Sequence, residues 1–256
     1  MRRKEFLYLG HLDLVAVPKK AFKNASVIIE LMLNYNQITQ LPPKIKLLVK
    51  LRVLLLNNNL LRSLPNEFAQ LTTLQSLQLQ CNAFDEVPSV IRSLVNLEKL
   101  HMGHNKIKEI PPWLGELTNL QHLDMQDNEI TTVPEEIGNL IQLRHLSLQD
   151  NKIRSLPSVV GNLYLLETLE IDEPMILCSE LGMPRHLDNL HRHNALETMF
   201  YFWSPKCINV SELTNLTRIK YRHVAITEQP FLEPQRKRRR RMTLLDLEAA
   251  ILLRPD

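Results

Sequence analysis

The chain has 256 residues, enough for one or two domains, with 44% hydrophobic residues that support a packed interior and only 5% aromatic ones. Its net charge of +3 is uneven: Arg236, Lys237, Arg238, Arg239, Arg240 and Arg241 supply +6, leaving −3 for a mildly acidic body. No run approaches the ~20 apolar residues of a membrane span, and the three scattered cysteines, Cys81, Cys178 and Cys207, give no disulfide framework.

At the start, MRRKEFLYLGHLDL lacks a sustained apolar core and a small-residue cleavage site, so no signal peptide is expected. The sequons at Asn24, Asn209 and Asn215 then carry no glycan. Residues 1–27 read as an irregular N-terminal repeat or cap. Leu7, Leu9, Val17 and Pro18 sit where Leu31, Leu33, Leu41 and Pro42 sit one unit later, at an offset of 24 and with Leu12 in the place of an asparagine. Such an atypical first unit suits an outer edge that faces water. Lys19, Lys20 and Lys23 discourage edge pairing there.

From Ile28 a pattern recurs: Leu-x-x-Leu-x-Leu-x-x-Asn-x-Ile-x-x-Leu-Pro-x-x-Ile-x-x-Leu-x-x. Its first positions, Ile28, Leu51, Leu74, Leu97, Leu120, Leu143 and Leu166, are each 23 residues apart. Asn36, Asn59, Asn82, Asn105, Asn128 and Asn151 form one column, and Pro42, Pro65, Pro88, Pro111, Pro134 and Pro157 another. A fixed period with this consensus is the signature of a leucine-rich repeat. The Leu-x-Leu segment alternates in and out as a half-buried strand does, and stacking lays such strands side by side as a parallel sheet. The asparagine amide is predicted to bond neighbouring backbone turns as a ladder. The Leu-Pro pair fixes a loop, and apolar turns such as Ile45 with Leu48, or Ile137 with Leu140, close the interior. The fold expected is an α/β leucine-rich repeat solenoid, a right-handed coil with a curved parallel sheet and a small helical C-terminal cap.

The repeats are expected to occupy residues 28–174 and to end after Ile171, where Asp172, Glu173 and Pro174 replace x-x-Asn. Residues 175–234 read as a C-terminal cap region. Helical spacing runs through Leu187, Leu190, Ala195, Leu196, Met199, Phe200 and Trp203, and a second helix or repeat remnant is expected over residues 211–221. Residues 235–256 read as a basic tail and a short helix, TLLDLEAAILL, whose Thr243 and Asp246 make a capping box.

Strand positions pointing away from the leucines form the concave face. In the N-terminal half these include Phe6, Tyr8, Met32, Tyr35, Val53 and Leu55, an apolar and aromatic set of the kind interface centres use. The plainer alternative is that the N-terminal flank folds over them. Farther along the face turns polar, with Lys99, His101, His104, His122, Asp124, Asp127, His145, Asp150, Glu170, Asp172 and Glu173. A parallel ladder sets neighbours in rows rather than in the tetrahedron zinc wants, so no metal, cofactor or catalytic residue is expected. A recognition surface for a basic or polar partner fits better. No Gly-rich phosphate loop, G-x-S-x-G or C-x-x-C is present. The basic run is read as a nuclear import signal, a nucleic-acid or anionic-membrane contact, or a solvated tail, and nucleic acid is not the expected partner.

The units LPPKI, LPNEF, VPSVI, IPPWL, VPEEI and LPSVV resemble the 23-residue intracellular leucine-rich repeat class to which Ras-suppressor and Shoc-type Ras-scaffold proteins belong. The resemblance implies a non-catalytic scaffold or adaptor in intracellular signalling. It also implies a cytoplasmic location, with nuclear entry through the basic run, and a partner protein on the concave face. Residues 243–253 are similar to the elongin-binding helix of some leucine-rich repeat substrate receptors of cullin–elongin ubiquitin ligases. On that likeness Leu244, Leu245, Ala249 and Leu252 would dock into elongin C of the elongin B/C pair. Glu248 departs from the pattern, and no cullin-contacting segment follows by Asp256.

Overall fold

A three-residue strand with one inward leucine, and a second just past its end, cannot bury them by itself, so it must stack on a copy of itself. The computed structural model describes residues 5–172 and, as backbone, residues 218–222. All of them fall within one compact unit, residues 1–224. Nine strands form one parallel sheet in chain order: β1 (Phe6–Tyr8), β2 (Glu30–Met32), β3 (Val53–Leu55), β4 (Ser76–Gln78), β5 (Lys99–His101), β6 (His122–Asp124), β7 (His145–Ser147), β8 (Thr168–Asp172) and β9 (Arg218–Arg222). Register is strict, with Leu31, Leu54, Leu77, Leu100, Leu123, Leu146 and Leu169 in one row. Every leucine of that row is at most 1% exposed. β1 joins at the offset of 24 read from the sequence, Leu7 opposite Leu31.

The sheet does not end at β8 as expected. Leu169 pairs with Ile219 and Ile171 with Tyr221, so a further strand is added from within residues 175–234, at a spacing the 23-residue period does not give. The helix expected through Leu187 to Trp203, the basic run and the elongin-like helix lie outside the described residues.

The asparagines form the ladder their spacing predicts. The Asn59 amide Nδ2 donates to the carbonyls of Leu33 and Leu56, and its Oδ1 accepts from the Ile38 N–H at 3.0 Å. Asn128 repeats the pattern with Met102, Met125 and Ile107. Each such amide satisfies three backbone groups, any one of which would cost about 1–3 kcal/mol if buried without a partner. At the first unit, which has Leu12 instead, Asn36 reaches back and accepts from both Leu12 and Leu14. At the far end Asp172 closes the ladder, its carboxylate accepting from the N–H groups of Asp150 at 2.8 Å and Asn151 at 3.0 Å. This corrects the placement of Asp172 on the open polar face. Because β8 runs straight on where earlier strands turn, the side chain takes over bonds that backbone carbonyls make elsewhere, and it is only 6% exposed.

The residue before each ladder asparagine holds a left-handed backbone: Tyr35, Asn58, Cys81, His104, Asp127 and Asp150, with φ between 49° and 56°. Asn, Asp and His tolerate this region best because their short polar groups bond locally. Tyr35 and Cys81 are the departures.

On the convex side each Leu-Pro leads into one turn of 3₁₀ helix, such as Pro43–Leu47, Asn66–Gln70 or Glu135–Asn139, which buries Ile45, Phe68 or Ile137. The proline carbonyl accepts from the residue three on, as Pro65 does from Phe68 at 2.9 Å. Adjacent turns touch closely: a methyl group at Gly115 would fall 2.2 Å from the Glu136 carbonyl oxygen, so this position has no room for a side chain. A second ladder, absent from the sequence reading, runs along the opposite margin. Thr73 donates to the Val49 and Leu51 carbonyls, Asn96 to Thr72 and Asn119 to Val95.

Candidate partner-binding surface

Outward alternation on β1–β8 builds a concave face of two columns. One runs Phe6, Glu30, Val53, Ser76, Lys99, His122, His145 and Thr168; the other runs Tyr8, Met32, Leu55, Gln78, His101, Asp124, Ser147 and Glu170. The second column brings Tyr8, Met32 and Leu55 together as an unbroken apolar row. In the first, Glu30 stands between Phe6 and Val53, so the patch is less continuous there than the sequence reading held. Phe6 is 48% exposed and Tyr8 65%, while Met32, Val53 and Leu55 are half-buried by their neighbours. Tyr35 is not on a strand. It stands on the loop edge, half-exposed, with its ring stacked on His11 at a centroid distance of 4.4 Å.

Five of the polar candidates converge, Glu170 among them. His101, His122, Asp124 and His145 line a shallow depression of about 90 Å³ with Ser147, Thr168 and Glu170. The His122 and His145 rings stack at 4.3 Å with 12° between their planes. Burial, and after it the neighbouring His145, push the His122 imidazole down to about 4, so that ring is neutral at physiological pH. His101 Nδ1 lies 3.5 Å from Asp124 Oδ2, and Asp124 Oδ1 accepts from the Gln126 N–H at 3.1 Å. The hydroxyl oxygen of Ser147 is buried and finds no hydrogen-bond partner among the described residues.

Asp127 and Asp150 stay outside the depression, in the left-handed column at the loop edge, where Asp127 pairs with His104. Strand alternation alone reaches Ser147 and Thr168, but neither is charged nor aromatic, so nothing in the sequence marks them as part of a site. Among the described residues no group of three or more His, Cys, Asp or Glu side chains is arranged to hold a metal ion. Nor does any described helix have the length and apolarity to cross a membrane. Cys81 sits on the same loop edge, its thiol pushed up by burial first and then by Asp127 and Asp124, which leaves it little nucleophilic character.

A family model described as a leucine-rich repeat region matches residues 30–126 and 112–238. No curated protein matches the chain. Among solved structures, a leucine-rich repeat protein of Leptospira interrogans is similar at 27% identity with a TM-score of 0.64, over 84% of this chain and 54% of that one, so this chain spans about half its length. The leucine-rich repeat domain of the type III effector XopL is similar in fold, at 22% identity and a TM-score of 0.58, over 66% of this chain and 69% of that domain. Domains with this fold are typically non-catalytic and bind other proteins, and with the repeat matched from residue 30 to residue 238 the chain belongs to the leucine-rich repeat family.

Proposed function

We propose that the protein is a non-catalytic scaffold that captures a partner protein on its concave face, in the cytoplasm and within intracellular signalling. The observation that carries this is the row Tyr8, Met32 and Leu55 with Phe6 and Val53 beside it, an aromatic and aliphatic patch on a rigid sheet. Soluble monomers rarely present contiguous apolar patches of this kind without a use for them, and aromatic residues and Met are enriched at interface centres. Tyr35 adds to the reading. It keeps a left-handed backbone that Asn would hold more easily, as residues at binding sites often do. In this reading residues 28–174 are the capturing array, residues 1–27 its N-terminal cap, residues 175–234 its C-terminal cap region, and residues 235–256 a tail whose basic run directs nuclear entry.

The test is affinity capture from cells with wild-type protein and the Tyr8→Ala, Leu55→Glu double variant. The variant should lose the captured partner while melting at the same temperature, because neither side chain belongs to the core. Unchanged capture refutes the face assignment. The sequence of residues 243–253 motivates a second role, as substrate receptor of a cullin–elongin ligase. In the same experiment wild type should then bring down elongin B/C, and Leu244→Asp should release it; wild type that never retains elongin ends that role.

A further inference from the structure

On the convex side of the first two units positive charge gathers without carboxylates to offset it. From Leu14 to Ile29 and from Leu31 to Asn66 the chain carries no Asp or Glu. Within those stretches Lys19 and Lys20 lie in the first 3₁₀ turn, Lys19–Phe22, and Lys23 follows it directly. Lys44 and Lys46 lie in the next turn, Pro43–Leu47, and Lys50 comes between that turn and β3. The two turns are in contact, with Ala21 and Ile45 buried beneath them, and all six lysines are exposed. None of the six forms an ion pair or a side-chain hydrogen bond with another described residue, whereas farther along Arg92 pairs with Glu116 and Lys152 with Glu129. The carboxylates around the patch lie at its borders. Glu5 precedes β1, Asp13 sits on the loop edge, Glu30 lies on the concave face and Glu67 belongs to the turn of the third unit. That third unit adds Arg52 and Arg62. The repeat itself does not demand these lysines, since Glu136 and Gly138 hold the positions of Lys44 and Lys46 four units on. Among the lysines stand the exposed side chains of Val27, Leu47 and Val49.

We propose that the convex side of the first two units docks on an anionic lipid bilayer. Unpaired lysines supply the attraction to acidic headgroups, and their long stems let the ammonium groups reach those headgroups over apolar surface. Val27, Leu47 and Val49 have a use on a bilayer, where exposed aliphatic groups enter the boundary between headgroups and acyl chains. Nucleic acid offers them none. The six cations are all lysines, without the arginine fork that clasps phosphate, and no exposed aromatic ring stands among them to stack a base. Docking through the convex turns keeps the opposite, concave face turned away from the bilayer, so a captured protein and the membrane do not compete. The two readings are independent of each other.

The test sediments the full chain with phosphatidylcholine vesicles, either pure or containing about one third phosphatidylserine. Protein should sediment with the phosphatidylserine vesicles alone, and less of it at high salt, which screens the lysine charges. Lys20→Gln, Lys44→Gln and Lys46→Gln together should weaken binding about a hundredfold, at roughly fivefold for each lysine near an anionic surface. Leu47→Gln with Val49→Gln should weaken vesicle binding several-fold and leave binding to duplex DNA, a polyanion without an apolar layer, unchanged. Melting curves of both variants check that the fold survives. Equal sedimentation with the two kinds of vesicle, or with neither, would overturn the proposal. So would binding that survives the three lysine changes and is lost when Arg236 to Arg241 are all replaced by Gln, which would assign the contact to the basic run. Lysine-dependent binding that ignores Leu47 and Val49, with DNA held as tightly as the vesicles, would overturn it in favour of nucleic acid.

Discussion

β2 and β6 are nearly the same object from behind and different objects from the front. Leu31 and Leu123 occupy the same core row at 0% and 1% exposure, and Asn36 and Asn128 bond their neighbours in the same way. Outward, β2 shows Glu30 and Met32 beside Tyr8 and Leu55, whereas β6 shows His122 and Asp124 beside His101 and Ser147. The difference teaches that a solenoid writes stability and recognition in separate columns. The inward column is constrained by close packing and admits little but leucine. The outward column meets no such constraint and is free to carry whatever a partner requires.

Breaking the scaffold should therefore have the same effect in both halves. Asn59→Ala and Asn128→Ala each strand two carbonyls and one N–H in buried surroundings, and each should lose about 3 kcal/mol of unfolding free energy. Urea unfolding followed by circular dichroism measures both. A loss at Asn128 much smaller than at Asn59 would mean that the polar half is held by something other than the ladder.

A smaller effect sharpens the contrast at the loop edge. Cys81 and Tyr35 hold the same left-handed backbone, φ 54° and 53°, in a column where Asn58 sits at 56°. Cys81→Asn should gain about 0.5–1 kcal/mol, because asparagine adopts that region with less strain. Tyr35→Asn relieves the same strain but loses the ring stacked on His11, worth about 0.5–1.5 kcal/mol, so its net change should be near zero. Equal gains from both would show that the His11 stack contributes nothing.

How much of this was legible beforehand follows the same division. The inward leucines, the asparagine ladder and the proline turns repeat at one interval, so periodicity alone fixes them, and even the offset of 24 at β1 could be read. Which residues face outward was legible too, but not which of them meet. The depression around Ser147 depends on register across four strands, and Glu30 interrupting Phe6 and Val53 shows only once the columns are aligned. Asp172 was misplaced because its position obeys the outward alternation while the strand fails to turn. The ladder of Thr73, Asn96 and Asn119 escaped notice because Thr and Asn serve equally there, which hides the column. β9 lies off the 23-residue period, and it overlaps residues 211–221, where the sequence leaves a helix and a repeat remnant both open.

The smallest expected effect is acid sensitivity, and it should belong to one half alone, since β1–β4 carry no histidine. Burial, with His145 next to it, pushes the His122 imidazole from 6.5 down to about 4 in the folded protein. Between those values the unfolded chain takes up a proton that the folded ring refuses, so this residue's contribution is fully present above pH 6.5 and is lost as pH falls toward 4. The ring is partly exposed, and solvent screening keeps the loss under about 1 kcal/mol. His122→Asn removes the titration. The stability difference between wild type and His122→Asn, measured by urea unfolding, should favour wild type more at pH 7.5 than at pH 4.5. An equal difference at both would mean that the stacked ring charges as readily in the fold as out of it.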